Sequence, residues 1–196
     1  MSFRLMVNAV AMLFGAASLV AAAQSGTVSG KVTAKGLRTS ANIVVSLEAP
    51  GLEVNPPSTP VELDQKQMEF IPHVLAVVTG TTVRFLNSDT VAHNVFSPDG
   101  KYNLGTWPMG QSKDHVFDKP GVYTQLCQVH PEMEGYVVVL DTLYFATTDR
   151  SGAFEIENVP AGNYKLVAWS EKLKRAEQEV TVEAGKATTV DVTMSR

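Results

Sequence analysis

One cysteine in 196 residues, Cys127, leaves no partner for a disulfide within the chain. Histidine is nearly as scarce: His73, His93, His115 and His130 are the whole supply. Charged residues make up 18% and the net charge is −4, which excludes the basic footprint of a nucleic-acid binder and the composition of a disordered acidic tail. Helical apolar periodicity is missing too, with 171–179 the one weak candidate beyond the N-terminal run. What remains is 44% hydrophobic, in short β-branched runs cut by Gly and Pro, in a chain long enough for one or two domains.

Residues 1–23 carry a single charge, Arg4, then a hydrophobic run through Leu19-Val20 that ends on Ala21-Ala22-Ala23. This predicts a signal peptide cleaved before Gln24. The alternative is an uncleaved anchor, because the run approaches spanning length; Asn8, Gly15, Ser18 and the alanines weaken it. With no cysteine near the cut, no lipid anchor is expected. The mature chain is expected to be periplasmic or secreted, with no stable membrane span. A leftover thiol in such a protein points to metal ligation or an intermolecular bridge.

That thiol opens the stretch Cys127-Gln128-Val129-His130-Pro131-Glu132-Met133. Val122–Leu126 and Tyr136–Leu140 on either side read as strands, so the stretch is a short loop between rigid walls. A thiol, an imidazole and a thioether at three-residue steps suit copper, for which two histidines, one cysteine and a weak axial methionine form the blue-copper set. The second histidine is His93, which follows the strand-like Thr82–Leu86 and a turn-prone Asn87-Ser88-Asp89. The competing readings are a buried structural cysteine, a structural zinc site, which would use more thiolates or histidines and no methionine, and a Cys–His nucleophile pair lacking an orienting group.

The Cys-x-x-His-Pro-x-Met loop, His93-Asn94-Val95, and the segments Phe70-Ile71-Pro72 and Val83–Asn87 resemble the cupredoxins, amicyanin- and plastocyanin-like, over about residues 61–141. The resemblance implies one type 1 copper per chain, held by His93, Cys127, His130 and Met133, with Asn94 tying the two ligand segments together. It implies a one-electron carrier. Four histidines are too few for a multicopper oxidase or a copper nitrite reductase, so no enzymatic activity is expected. A redox partner such as a c-type cytochrome or a dehydrogenase would meet an apolar patch of Val129, Pro131, Pro98 and Met109 around His130. His73 reads as a packed or hydrogen-bonded residue, and His115 as a strand residue facing solvent. The alternatives are a periplasmic copper carrier, or a β-sandwich binding module with a structural copper.

The flanks differ in character. Asp149-x-x-Gly152-x-Phe154, Val159-Pro160-x-Gly162-x-Tyr164 and the opening Gly26-x-Val28-x-Gly30-x-Val32 resemble the carboxypeptidase regulatory-like, transthyretin-like sandwiches. The expected architecture is all-β: a Greek-key cupredoxin sandwich plus a second small sandwich. Expected boundaries are 1–23 for the signal peptide and 24–50 for the N-terminal strands of the second sandwich. The copper domain is placed at 51–142, inserted before the remainder of the second sandwich at 143–196. In a competing arrangement, the strand at 43–47 completes the copper domain instead.

Overall fold

The computed structural model describes residues 25–196, so the expected signal peptide lies outside them. The described residues are all strand, turn and loop, with no helix long and apolar enough to cross a membrane. Two strands come first, β1 (Ser25–Ala34) and β2 (Val44–Glu48). A central group follows: β3 (Val61–Lys66), β4 (Glu69–Ile71), β5 (Val74–Val78), β6 (Thr81–Asn87) and β7 (His93–Ser97). It continues with β8 (Tyr102–Trp107), β9 (Ser112–Phe117), β10 (Gly121–Leu126) and β11 (Glu134–Leu140). The last group is β12 (Phe145–Thr147), β13 (Ala153–Pro160), β14 (Gly162–Ser170), β15 (Leu173–Val182), β16 (Ala187–Thr189) and β17 (Val192–Met194).

The first and last groups pair with each other. β1 lies between β13 and β16, with β17 also on it, and β2 sits between β12 and β14, with β15 outermost. Alternation on β1 puts Val28 and Val32, both fully buried, against Leu47, Leu166, Val182 and Met194 in one core. Gly30 faces that core where the chain returns; a Cβ there would sit 1.9 Å from the Val190 carbonyl oxygen. The central group forms the other sandwich, with sheets β5-β11-β10-β7-β8 and β4-β3-β6-β9. Its core holds Leu63, Phe85, Val95, Trp107 and Phe117 together with Cys127 and Met133.

The two sandwiches stack through one sheet each. On β11, Val137 and Val139 enter the copper-side core, whereas Tyr136, Val138 and Leu140 meet Val44 and Trp169 of the flanking sheet. A strand covered on both faces has no polar side to present, which explains the unbroken Val-Val-Val-Leu run. His73 lies at this seam: its Nε2 is 3.2 Å from Glu171 Oε1, and its ring meets Tyr136 edge-on with centroids 5.6 Å apart.

Three local expectations change. The weak helix candidate at 171–179 is mostly β15, whose Arg175, Glu177 and Glu179 lie on the face opposite the core. The loop pattern over 98–110 contains β8, where only Tyr102, Leu104 and Trp107 turn inward and the apolar signal is correspondingly thin. His115 is half-buried rather than open to solvent. Its ring lies tilted on that of Tyr102 with centroids 3.9 Å apart and meets Phe117 edge-on at 4.9 Å, and burial pushes its pKa down against the opposing charge of Asp118.

Candidate metal centre

The antiparallel pair β10–β11 ends in the 127–133 loop, and β7 begins beside it. Leu126 pairs with Phe96, which brings Cys127 opposite the start of β7, where His93 and Asn94 sit. Within the loop the Met133 N–H donates to the His130 carbonyl oxygen at 3.0 Å, turning the chain back toward β11. Gly135 lets that return pass close to β4: a Cβ there would come 2.7 Å from Phe70 Cβ.

Three donor atoms converge. His93 Nδ1 and His130 Nδ1 are 3.0 Å apart, and Cys127 Sγ lies 4.0 Å from the first and 3.9 Å from the second. A point about 2 Å from all three atoms completes that triangle, which is the bond length of a metal to imidazole and thiolate ligands. Met133, 1% exposed, is buried in the same cluster as Cys127. His93 and Cys127 are 0% and 2% exposed, while His130 keeps a partly open edge. The residues present therefore fit a metal ion. Soft sulfur donors with two imidazoles fit copper better than zinc.

The tautomer of His93 follows from its neighbour. Asp89 Oδ2 lies 2.8 Å from His93 Nε2. Burial pushes the Asp89 carboxyl up, but N–H groups of Met68 and Gln67 and the His93 ring outweigh it and hold it below the usual range. An ionised carboxylate only accepts, so Nε2 carries the proton and Nδ1 presents its lone pair to the centre. Asp89 is itself held: its oxygens accept from Gln67 at 2.6 Å and Met68 at 2.9 Å, and its N–H donates to Asn87 Oδ1. Asn87 completes the brace by donating to the Val91 and Trp107 carbonyls. The sequence showed these two residues only as part of an Asn-Ser-Asp turn; the one further signal was a carboxylate four residues ahead of a candidate ligand.

Asn94 spans the two ligand segments. Its backbone N–H reaches Cys127 Sγ at 3.4 Å, its Oδ1 accepts from the Gln128 N–H, and its Nδ2 donates to Asn103 Oδ1 and the Gly105 carbonyl. Val129 and Pro131, on either side of His130, are exposed, as are Met68, Val91 and Met109. Pro98 is not part of this surface. It follows the far end of β7, where Asp99 accepts from the Thr124 N–H.

The cupredoxin-like domain family matches residues 8–139, and the carboxypeptidase regulatory-like domain matches residues 132–195. Among solved structures, a purple cupredoxin from Nitrosopumilus maritimus is 30% identical, over 41% of this chain and 99% of its own, with a TM-score of 0.38. A reduced amicyanin variant is 23% identical over 49% of this chain and 98% of its own, at 0.41. A copper-containing nitrite reductase from Thermus scotoductus SA-01 is 25% identical over 57% of this chain but 28% of its own, also at 0.41. No curated protein matches the chain.

Proposed function

The chain belongs to the cupredoxin-like domain family, and from that premise we propose that it is an exported type 1 copper protein carrying single electrons between redox partners. His93, Cys127, His130 and Met133 would hold the ion. Bound there, copper supplies a reversible one-electron couple.

The observation that carries the reading is the burial of a complete donor set. His93, Cys127 and Met133 are at most 2% exposed, so neither water nor a substrate has an open approach on their sides. Asp89 and Asn94 fix the donors before metal arrives, which limits rearrangement when charge changes. His130 is the half-open member of the donor set, and the exposed Val129 and Pro131 on either side of it supply an apolar face for a partner. A c-type cytochrome or a dehydrogenase is the proposed partner class, and the periplasm or the extracellular space the proposed location.

The test is the visible and EPR spectrum of the mature protein after Cu(II) addition, alongside Cys127→Ala. An intense blue or purple thiolate-to-copper band, lost in the variant, supports the assignment. Pale copper binding that survives the substitution overturns it. The proposed units are 51–142 for copper and 24–50 with 143–196 for the flanking sandwich. Expression of 51–142 alone should give a coloured, folded fragment, whereas an unfolded one would show that its outer sheet needs the cover that β2 and β14 supply.

A further inference from the structure

The two sandwiches do not close against each other along their whole contact. Between β2, β14 and β11 they leave a cleft of about 430 Å³, within the size range of small-molecule sites. Its walls are apolar: Val44, Val167 and Trp169 from the flanking sheet, and Val122, Val138 and Leu140 from the copper-side sheet. Two hydroxyls interrupt them, that of Ser46 and that of Thr142, whose oxygen accepts from the Tyr144 N–H at 3.1 Å. Ser46 shares the outer face of β2 with Val44 and Glu48, is 2% exposed, and has no protein partner for its hydroxyl, whose exposed edge opens onto the cleft. A molecule in the cleft can therefore pair with it in place of water.

The mouth has a definite charge. Arg175 is engaged by Glu48 at 3.3 Å and by Glu177 at 2.8 Å, and Asp141 accepts only from the Thr79 hydroxyl, at 2.5 Å. Of the groups that line the cleft, Glu48 and Asp141 against Arg175 leave one net negative charge, which favours a cation over an anion of the same shape. We propose that the cleft binds a small aromatic amine, its ring between Trp169 and the valines, a ring hydroxyl on Ser46, and its ammonium group at the acidic mouth. The site is separate from the metal centre and does not depend on the copper reading.

Tyramine is the probe, compared with phenethylamine, 4-ethylphenol and 4-hydroxyphenylacetate by calorimetry on the full mature chain, with amide and indole NMR shifts locating the ligand. Tyramine is expected to shift Ser46, Val167 and the Trp169 indole and to bind tighter than the anion. Glu48→Gln with Asp141→Asn should weaken tyramine about tenfold and leave 4-ethylphenol unchanged. Ser46→Ala should cost tyramine about fivefold and phenethylamine nothing. Ser46→Leu, which fills the cleft, should abolish binding of all four. The proposal is overturned if no probe moves these resonances in the millimolar range, leaving only water on Ser46. It is equally overturned if the anion binds as well as the amine, or if binding survives Ser46→Leu.

Discussion

The copper-side sandwich buries seven polar side chains: Gln65, Thr81, Asn87, His93, Asn94, Ser97 and Gln125. The flanking sandwich, with a core of similar make-up, buries Ser46 and Thr148, and Thr142 is buried in the connection between the two. The buried polar atoms left without a partner, Gln65 Oε1, Thr81 Oγ1 and Trp107 Nε1, are all on the copper side. The core of the flanking sandwich is packed from apolar groups. The other accepts polar interior groups because its donors must be aimed and protonated correctly, and such departures from local rules concentrate where a site is held.

The largest effect that would sharpen this contrast is a pair of core truncations. Leu63→Ala and Leu166→Ala each remove a fully buried leucine, one from each core, and each should cost about 3 kcal/mol by thermal or denaturant unfolding. Only Leu63→Ala should also change the copper spectrum; an equal spectral change in Leu166→Ala would break the contrast. Next, Asn94→Ala strands the Gln128 N–H and its acceptors and should lose about 2 kcal/mol, read by calorimetry of the metal-free protein. Asp89→Asn removes the charge that fixes the His93 tautomer and should weaken copper binding at least about tenfold in a competition titration. Unchanged affinity would reduce Asp89 to a turn residue.

The smallest effect is at the seam. Burial pushes the Glu171 carboxyl up, but the Lys172 hydrogen bond and the His73 ring outweigh it, so its pKa is lowered. A depressed folded-state pKa contributes stability that is present above the ordinary carboxylate value and lost as pH falls through the lowered one. The contact is partly open to solvent, so the loss should stay below about 1 kcal/mol. Unfolding midpoints between neutral pH and about pH 3 should show it in the parent and not in Glu171→Gln.

Much of this was legible because ligand chemistry is written in residue type and spacing. Cys127, His130 and Met133 share one loop, and His93 was the remaining histidine placed after a strand. The all-β class followed from β-branched runs cut by Gly and Pro. Asp89 was hidden because an acidic residue in a turn looks the same whether or not it grips a histidine. The role of His115 was hidden because the ring that covers it, Tyr102, arrives from β8 in the opposite sheet. The seam had left a mark in Val74–Val78 and Tyr136–Leu140, which do not alternate, but a run covered on both faces does not say what covers it.

The connections into and out of the central sandwich run side by side, with the Leu47 N–H bonded to the Tyr144 carbonyl at 2.9 Å. β2 and β12 are thus partners on opposite sides of the whole copper unit. Synthesis at roughly 5–20 residues per second makes β1 and β2 wait on the order of ten seconds for their partners, while the intervening sandwich can already close. Until then their edges are open to any other chain, and the time to translate the insert sets how long that exposure lasts.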